Sequence, residues 1–278
     1  MASSNPRGER MAGRRVLITG AGSGLGRELA LNYAARGDRV ACVDLYADRA
    51  EETRRLLSGG GHLALVADVG SDAAMAALKA QIQGAWSGLD VLVNNAGIAC
   101  GGECAHTSIA EWQRTLNINL MGVVRGVREF VPMMEAQRNG LVINVASFAG
   151  LAGAPGLGAY GVSKAAVVAM SEGMRAELLP KGIRVSVLCP SFFKTNLLES
   201  FQGTSDAPMK HMAAKLMEKS PIDAADVARY TVEQAERGRF LLLPHKDTRS
   251  RWLLKRWLPG MYFKELLKYV AKNSQKAK

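Results

Sequence analysis

The chain has 278 residues, of which 48% are hydrophobic and 22% charged, so its composition excludes intrinsic disorder and is sufficient for a large α/β domain. Its net charge of +11 is uneven, because residues 245–278 hold ten Lys/Arg against two acids and therefore carry +8 of it. A basic tail on a nearly neutral body does not favour a nucleic-acid-binding domain.

The sequence predicts no metal site, no membrane-spanning helix and no signal peptide. The four cysteines form no Cys-x-x-Cys pair, which predicts reduced thiols and no metal site. No run of about 18 apolar residues is found, so we predict no membrane-spanning helix. Residues 1–13 are polar and lack the apolar stretch of a signal peptide, so we expect a flexible N-terminal arm and a cytoplasmic protein.

Short apolar runs alternate with amphipathic segments along the rest of the chain. Runs that are apolar throughout are typical of strands buried on both faces of a parallel sheet. The alternation predicts an α/β fold with a doubly wound sheet of about seven strands in one domain, residues 14–244, followed by a C-terminal extension, residues 245–278. The predicted strands are 16–18, 40–43, 63–66, 91–93, 141–143, 185–188 and 240–243, and the predicted helices are 25–36, 49–58, 72–83, 108–137, 159–179 and 224–237.

A glycine-rich turn follows the first predicted strand and precedes the first predicted helix. Glycines there allow a tight turn and a close approach of the backbone to a pyrophosphate, while the helix N-terminus offers free N–H groups to the phosphates. This position between strand and helix favours a Rossmann-type dinucleotide site over an ordinary turn. The candidate residues are Thr19, Gly20, Gly22, Ser23, Gly24, Leu25 and Gly26.

The second predicted strand ends at Asp44, which bears on the choice of cofactor. A carboxylate there accepts hydrogen bonds from the adenosine ribose hydroxyls and repels a 2′-phosphate. The next residues, Leu45 and Tyr46, supply no arginine for such a phosphate. We therefore predict NAD in preference to NADP, with Asp44 and Leu45 beside the ribose; the alternative is that Asp44 only caps the following helix.

Two further loops follow the third and fourth predicted strands. Asp68 and the Val69 backbone are candidates for contact with the adenine edge. Asn95, Ala96 and Gly97 are expected to shape a loop at the carboxyl end of the sheet, where ligands bind in such folds. An ordinary turn is the alternative for this second loop.

Tyr160 and Lys164 lie four residues apart in a predicted helix and therefore share one face of it. A free tyrosine has a pKa of about 10 and is a poor base at neutral pH, whereas a nearby cation favours the tyrosinate and lowers that pKa. We predict that the pair moves a proton to or from an alcohol or carbonyl oxygen. A buried tyrosine next to a solvated lysine is the alternative.

Together these motifs resemble the short-chain dehydrogenase/reductase family over residues 14–243. The resemblance rests on Thr-Gly-x-x-x-Gly-x-Gly at 19–26, Asn-Asn-Ala-Gly at 94–97, Asn119, Ser147 and Tyr-x-x-x-Lys at 160–164. It implies that Tyr160 is the acid/base and that Ser147 holds the substrate oxygen. It further implies that Lys164 lowers the pKa of Tyr160 and binds the nicotinamide ribose, while Asn119 supports a water relay.

One loop departs from the family pattern. After the sixth predicted strand the family usually has Pro-Gly and then Thr, whereas this chain has Pro190 and Ser191, followed by Phe193 and Thr195. By resemblance these four residues contact the nicotinamide end of the cofactor. Ser191 in place of glycine is expected to reshape the loop beside the carboxamide.

The segment 192–221 is predicted to be a substrate lid. Aromatic and methionine side chains on a mobile segment suit a large apolar substrate, although apolar residues at helical spacing in a core are the alternative. The apolar loop 150–156 is expected to line the same cleft, which indicates a lipophilic secondary alcohol or ketone. The lid residues are Phe192, Phe193, Leu197, Leu198, Phe201, Met209, Met212, Leu216 and Met217.

The C-terminal extension mixes cations with aromatic and aliphatic residues, and Pro259 and Gly260 divide it into two amphipathic pieces. One interpretation is docking over the substrate cleft or onto a neighbouring subunit, with the cations solvated. The other is a peripheral membrane contact, with Trp at the headgroups and Lys/Arg near anionic lipid. We predict no nucleic-acid partner. The resemblance implies a homodimer or homotetramer formed through helices 108–137 and 159–179.

The leading hypothesis is an oxidoreductase that transfers a hydride between NAD(H) and a lipophilic secondary alcohol or ketone. A non-catalytic dinucleotide-binding sensor or scaffold is one alternative, and the joint presence of Ser147, Tyr160 and Lys164 argues against it. A membrane-surface interaction protein that acts through its basic tail is the other.

Overall fold

A seven-stranded parallel sheet organises the chain, which the computed structural model describes over residues 13–195 and 206–274. The sheet order is β3-β2-β1-β4-β5-β6-β7, and every neighbouring pair is parallel. All seven predicted strands are confirmed, while residues 1–12 of the predicted arm lie outside the described residues. The strands are β1 (Arg15–Thr19), β2 (Arg39–Asp44), β3 (Leu63–Val66), β4 (Val91–Asn94), β5 (Gly140–Val145), β6 (Ile183–Leu188) and β7 (Leu241–Leu242).

Helices connect the strands and cover both faces of the sheet. The six predicted helical segments are found, although 108–137 is interrupted, and the described residues add further helices in the predicted lid, in the extension and at Phe148–Ala152, where part of the predicted loop 150–156 is helical. In chain order the helices are α1 (Gly24–Ala34), α2 (Ala47–Leu56), α3 (Asp72–Ala85), α4 (Ile109–Leu116), α5 (Gly122–Gln137), α6 (Phe148–Ala152), α7 (Gly158–Leu178), α8 (Asp206–Glu218), α9 (Ala224–Glu236), α10 (Lys246–Trp257) and α11 (Pro259–Ser274).

Alternate side chains of each central strand enter two separate cores. In β1, Val16 and Ile18 pack with α1 and α9 on one face, whereas Leu17 packs with α3, α5 and α7 on the other. All three side chains are fully buried. Because successive strand residues point to opposite faces, a strand covered on both faces needs apolar residues at every position, which explains the unbroken apolar runs of the sequence.

The topology places the predicted binding motifs at one edge of the sheet. From β1 the chain builds outward through β2 and β3, and from β4 it builds in the opposite direction through β7. The neighbours β1 and β4 therefore flank the point where the strand order reverses, and ligands bind in the crevice beyond the carboxyl ends of such strands. The glycine-rich turn follows β1 and the Asn95 loop follows β4, so both border this crevice.

The predicted helix 108–137 is interrupted in the structure. A π-helical turn, Asn117–Met121, joins α4 to α5 and brings Asn119 to a fully buried position. Apolar periodicity does not distinguish such a turn from a continuous α-helix, because the chain remains helical on both sides. Single π-turns occur frequently at functional sites.

The predicted lid is only partly described. Leu197, Leu198 and Phe201 lie outside the described residues, and α8 forms the later part of the segment. Met217 on α8 is buried, which at this position favours the core alternative over a pocket lining.

The extension folds as two helices, as its pattern predicts. Pro259 begins α11, because proline lacks the N–H that the first helical position leaves unpaired anyway. Within residues 13–195 and 206–274, no helix combines the length and the apolar character needed to cross a bilayer.

Candidate active site

The turn after β1 has a shape that only glycine permits at several positions. Gly20 and Gly24 have φ values of +65° and +50°, in the left-handed region that favours glycine. A Cβ on Gly22 would collide with the carboxylate of Asp44, and one on Gly26 would overlap the carbonyl oxygen of Gly20. The backbone is therefore held close to the crevice, as the sequence predicts.

Asn95 and Thr19 tie this turn to the loop after β4. The Nδ2 atom of Asn95 donates to the carbonyl oxygens of Thr19 at 2.9 Å and Gly20 at 3.1 Å. In return, the Thr19 hydroxyl accepts from the backbone N–H groups of Asn95 at 3.0 Å and Ala96 at 3.1 Å. These reciprocal bonds fix the two sides of the crevice relative to each other before any ligand binds.

The N-terminus of α1 suits an anionic ligand. Its N-cap residue, Ser23, makes no side-chain capping bond within the described residues, and the first turn of α1 carries no acid. The first amides of the helix thus point toward the crevice without a side-chain acceptor, and the helix dipole adds positive potential there. This cradle fits the pyrophosphate of a dinucleotide.

Arg27 supports the turn from behind, and sequence reasoning missed it. Its guanidinium donates to the carbonyl oxygen of Gly22 at 2.7 Å and to the Thr53 hydroxyl at 3.0 Å, and it pairs with Glu52. Thr53 in turn donates to the carbonyl oxygen of Ala21 at 2.9 Å. Because Thr53 lies on α2, the turn is braced by an element that no local motif connects to it.

Asp44 lies on the rim of the crevice, next to the glycine turn. Its carboxylate accepts from the Gly22 N–H at 2.9 Å and from the Tyr46 N–H at 3.2 Å. The N-cap residue of α2 is Tyr46, so Asp44 does not act as that helix cap. Leu45 and Tyr46 supply no arginine, as predicted, but α2 carries Arg49 with its guanidinium 5.0 Å from the centre of the Tyr46 ring.

The other residues predicted on the adenosine side differ in what they expose. Leu45 is exposed beside Asp44, and the exposed Asp68 accepts from the Gly70 N–H at 2.7 Å. The side chains of Leu25 and Val69 are buried in the two cores, so only their backbone groups are open to a ligand.

The four predicted catalytic residues come together beyond β4 and β5. Ser147 is the N-cap of α6, and its side chain lies near that of Tyr160 on α7, where it acts to lower the pKa of the phenol. The Nζ of Lys164 lies 5.9 Å from the centre of the Tyr160 ring and donates to the carbonyl oxygen of Val145 at 2.8 Å. The i, i+4 spacing thus brings the phenol and the amine together, and β5 adds the serine.

Asn119 and Gly97 connect this cluster to the cofactor crevice. Asn119 accepts from the Ile98 N–H at 2.8 Å and donates to the Ser163 hydroxyl at 3.2 Å. A Cβ on Gly97 would lie 3.1 Å from the Asn119 Oδ1 and 3.4 Å from the Lys164 Nζ. The catalytic cluster therefore borders the same loop that Asn95 ties to the glycine turn.

The electrostatics of the pair differ from the prediction in one respect. Burial raises the pKa of Tyr160 above its usual value, and the neighbouring Ser147 only partly opposes this. Burial also lowers the pKa of Lys164 to about 8. In the ligand-free protein burial thus acts against the predicted fall in the Tyr160 pKa, because it disfavours the phenolate and the ammonium alike.

The loop after β6 is held by a residue that sequence reasoning did not consider. The Ser191 N–H donates to Nδ1 of His245 at 3.2 Å, and Nε2 of the same ring lies 3.1 Å from the carbonyl oxygen of Phe192. Phe193 is buried against the His245 ring, with 6.3 Å between the ring centres. A gap of 54 residues separates Ser191 from His245, and no spacing rule connects them.

The remaining residues of this loop lie beside Ser147. The carbonyl oxygen of Pro190 accepts from the Phe148 N–H at 2.8 Å and lies 3.5 Å from the Ser147 hydroxyl. Thr195 is partly buried at the end of the described part of the loop.

The extension docks beside the predicted substrate cleft. Lys255 on α10 donates to the carbonyl oxygen of Leu151, and Tyr262 on α11 donates to that of Ala152 at 2.9 Å. Both acceptors lie in α6, which directly follows Ser147. These contacts agree with the docking interpretation. They provide hydrogen-bond donors for carbonyl groups that the short α6 leaves unpaired.

Comparisons with known proteins agree with this geometry. A family model described as short chain dehydrogenase matches residues 14–206. The 2-(R)-hydroxypropyl-CoM dehydrogenase of Xanthobacter autotrophicus is 34% identical over 223 residues, which cover 77% of this chain and 88% of that protein.

Solved structures show the same similarity. A short chain dehydrogenase/reductase from Burkholderia phymatum, in complex with NAD, superposes with a TM-score of 0.84 at 30% identity, covering 88% of this chain and 93% of that one. Levodione reductase superposes with a TM-score of 0.74 at 27% identity, covering 84% of this chain and 96% of that one. The chain therefore belongs to the short-chain dehydrogenase family of oxidoreductases.

Proposed function

We propose that this protein transfers a hydride between NAD(H) and a lipophilic secondary alcohol or ketone, with Tyr160 as the acid/base. The observation that carries the proposal is the cluster of Ser147, Tyr160 and Lys164 directly beside the Asn95–Gly97 side of the crevice. A pure dinucleotide-binding protein has no need of a serine and a tyrosine side by side next to a buried lysine at this place.

Each residue of the cluster has a distinct task in the proposed mechanism. When bound, NAD supplies the hydride acceptor or donor at its nicotinamide ring. Tyr160 takes the hydroxyl proton during oxidation and returns it to the carbonyl oxygen during reduction. Ser147 holds that oxygen, and Lys164 binds the nicotinamide ribose and offsets the charge of the phenolate. Asn119 supports a water relay towards Lys164.

Two features support NAD over NADP. The carboxylate of Asp44 lies at the rim beside the glycine turn, where it would bind ribose hydroxyls and repel a phosphate. The similar Burkholderia phymatum protein was solved with NAD. Arg49 is the group that would favour NADP. We expect Arg49→Ala to change kcat/KM for NAD less than about threefold, and Asp44→Ser to raise kcat/KM for NADP relative to NAD by about tenfold or more.

Two features also support the class of substrate. The relative from Xanthobacter autotrophicus is named as a dehydrogenase of a hydroxypropyl group, which is a secondary alcohol. Residues 150–156 are all Gly, Ala, Leu or Pro, and they form the end of α6 and the turn after it, next to Ser147. Such a wall favours an apolar substrate with one polar oxygen.

The test is a spectrophotometric screen of hydrophobic secondary alcohols and ketones with NAD(H) and, separately, NADP(H). Tyr160→Phe should lower kcat by about 10²–10⁴-fold, while the Kd for NAD stays within a few-fold of the wild-type value. Tyr269→Phe, which alters an exposed tyrosine of α11, is the matched control. Full turnover in Tyr160→Phe would remove Tyr160 from its proposed role, and a strong preference for NADP would refute the role of Asp44.

A second proposed role concerns the surface of the extension that its docking leaves exposed. Trp257, Phe263 and Leu267 are 74%, 57% and 52% exposed, and the segment carries a large positive charge. An interfacial helix with this composition binds anionic lipid, so we assign these exposed side chains to peripheral contact with a cytoplasmic membrane surface. Cosedimentation with anionic vesicles should fall when Phe263 and Leu267 are both changed to Ser, and equal sedimentation would exclude this role.

Self-association through α5 and α7 completes the proposal. Met121, the last residue of the π-turn before α5, and Val162 on α7 are exposed apolar residues, which a symmetric partner would cover. Size-exclusion chromatography with light scattering should give a dimer or tetramer, and Val162→Glu should shift it toward the monomer. A monomeric wild-type protein would contradict this part.

A further inference from the structure

His245 lies between β7 and α10 and is only 6% exposed. It is the first residue of the extension, yet its side chain points away from the extension and toward the loop after β6. Both ring nitrogens bond to the backbone of that loop, through the Ser191 N–H at 3.2 Å and the Phe192 carbonyl at 3.1 Å. The ring also packs against Phe193, so a single side chain contacts three consecutive residues.

The bonding pattern determines the form of the ring. Nδ1 accepts from an N–H group, so the ring proton lies on Nε2, which donates to the carbonyl oxygen of Phe192. A neutral imidazole meets both requirements, and burial, which lowers the pKa of His245, favours that neutral form. The ring therefore acts as one acceptor and one donor at a defined separation.

Hydrogen bonds hold the backbone of His245 and the start of the loop that its ring contacts. The fully buried Thr248 donates its hydroxyl proton to the His245 carbonyl oxygen at 2.6 Å. At the start of the loop after β6, the Cys189 N–H donates to the Leu242 carbonyl oxygen at 2.9 Å and so joins that loop to β7. His245 thus transmits the position of the sheet and of α10 to a loop that has no regular structure of its own.

We propose that His245 is a positioning residue for the cofactor: it holds the Ser191–Phe193 loop as the wall that receives the nicotinamide carboxamide. The loop continues from Pro190, whose carbonyl oxygen bonds to the Phe148 N–H beside Ser147, so its location sets how closely the ring can approach the catalytic cluster. This inference rests on the proposed function only in that the ligand is a nicotinamide dinucleotide.

The chain provides a matched control in His62. There too, Nδ1 accepts from a backbone N–H, that of Val40, at 3.1 Å, and Nε2 lies 3.0 Å from a carbonyl oxygen, that of Ser58. Val40 is near the start of β2, at the edge of the sheet opposite the crevice. A change at His62 removes the same bonds without touching the site, so it measures the purely structural part of the effect.

The experiment compares Gln and Met at each histidine in the full-length protein, because the two side chains have similar shapes but only Gln can accept and donate hydrogen bonds. We expect His245→Met to raise the Kd and KM for NAD about tenfold, as loss of one or two backbone bonds implies. The KM for the alcohol should change less than about twofold. His245→Gln should restore NAD binding to within about threefold of wild type, and neither His62 variant should alter the Kd for NAD.

An unchanged Kd for NAD in His245→Met overturns the proposal, as does failure of His245→Gln to recover binding. If His245→Met does not fold, amide hydrogen exchange in the wild-type protein decides. The Ser191 N–H should exchange slowly and become slower still with NAD, and the proposal falls if NAD has no effect on it. Kd values come from calorimetry without turnover, so a wild-type protein that binds NAD but oxidises nothing would contradict only the proposed function.

Discussion

The two ends of the crevice reach a defined shape by different physical routes. At the dinucleotide end, steric exclusion of a Cβ at Gly22 and Gly26 and the bonds from Asn95 to Thr19 and Gly20 act within the motifs themselves. At the nicotinamide end, the loop after β6 has Ser191 where the family usually has glycine, and its constraint comes from His245 in the extension. An added Cβ in the closely packed turn should displace the backbone outright, whereas loss of a hydrogen bond from the loop after β6 should change the position of that loop by degrees.

The contacts of the extension fall into two groups, one at each side of the proposed cleft. Its first residue bonds to the loop after β6, on the proposed cofactor side, and its later residues Lys255 and Tyr262 bond to α6, on the proposed substrate side. The extension therefore contacts both walls of the proposed cleft from outside the glycine motif. Changes along it should separate cofactor affinity from substrate affinity.

Gly26→Ala tests the steric half of the comparison and should have the largest effect. Its Cβ would overlap the Gly20 carbonyl oxygen and displace Asn95, so we expect a loss of about 1–3 kcal/mol in the free energy of unfolding, and NAD binding too weak to measure. Urea denaturation and calorimetry provide the two values. Gly173→Ala, where an added Cβ meets nothing within 4 Å, is the control and should be neutral or stabilising. Normal NAD binding in Gly26→Ala would show that the turn is not sterically determined.

Asn95→Ala removes the bonds that connect the two loops and should have the next largest effect. The carbonyl oxygens of Thr19 and Gly20 lose their side-chain donor, which costs about 1–3 kcal/mol. We expect the Kd for NAD to rise by about ten- to a hundredfold, more than in His245→Met. Asn139→Ala, at an exposed position after α5, serves as the control. A smaller rise in the Kd for NAD than in His245→Met would show that NAD binding depends more on the loop after β6 than on the bonds of Asn95.

Lys255→Met should affect the substrate side alone. Loss of the bond to the Leu151 carbonyl oxygen loosens α6, so we expect KM for a bulky secondary alcohol to rise about three- to fivefold, while the Kd for NAD is unchanged. Steady-state kinetics with saturating NAD measures the first value. Lys268→Met, which alters an exposed lysine paired with Glu265, is the control. A change in NAD affinity would mean that the two walls are coupled.

Lys164→Met should produce the smallest and most pH-dependent change in stability. The folded pKa of Lys164 is lowered to about 8 from 10.5, so the unfolded chain binds more protons between these pH values. The free energy of unfolding of the wild type therefore gains from this group as pH rises from about 8 to 10, and the buried charge is unfavourable below that range. The stability of Lys164→Met relative to wild type should fall over the same range in urea titrations, with Lys181→Met as the exposed control. A constant difference would show that the folded pKa is not lowered.

Local patterns in the sequence account for much of the site. The turn at Thr19–Gly26, the rim position of Asp44 and the pairing of Tyr160 with Lys164 each depend on residues within a few positions, or at the end of a strand whose apolar run is visible. The predicted direction of the Tyr160 pKa is wrong because burial depends on residues far away in the chain. The π-turn at Asn117–Met121 escapes prediction because it interrupts a helix without changing its apolar pattern.

The sequence by itself determined the strand–helix alternation, the glycine-rich turn and the pairing of Tyr160 with Lys164, because periodicity, backbone freedom and i, i+4 spacing are properties of neighbouring residues. Tertiary structure alone decided that Thr53 on α2 bonds to Arg27 behind the turn, that His245 bonds to the loop of Ser191, and that Lys255 bonds to Leu151 in α6. Those contacts join residues tens of positions apart, and only the packing of sheet, helices and extension brings them within hydrogen-bonding distance.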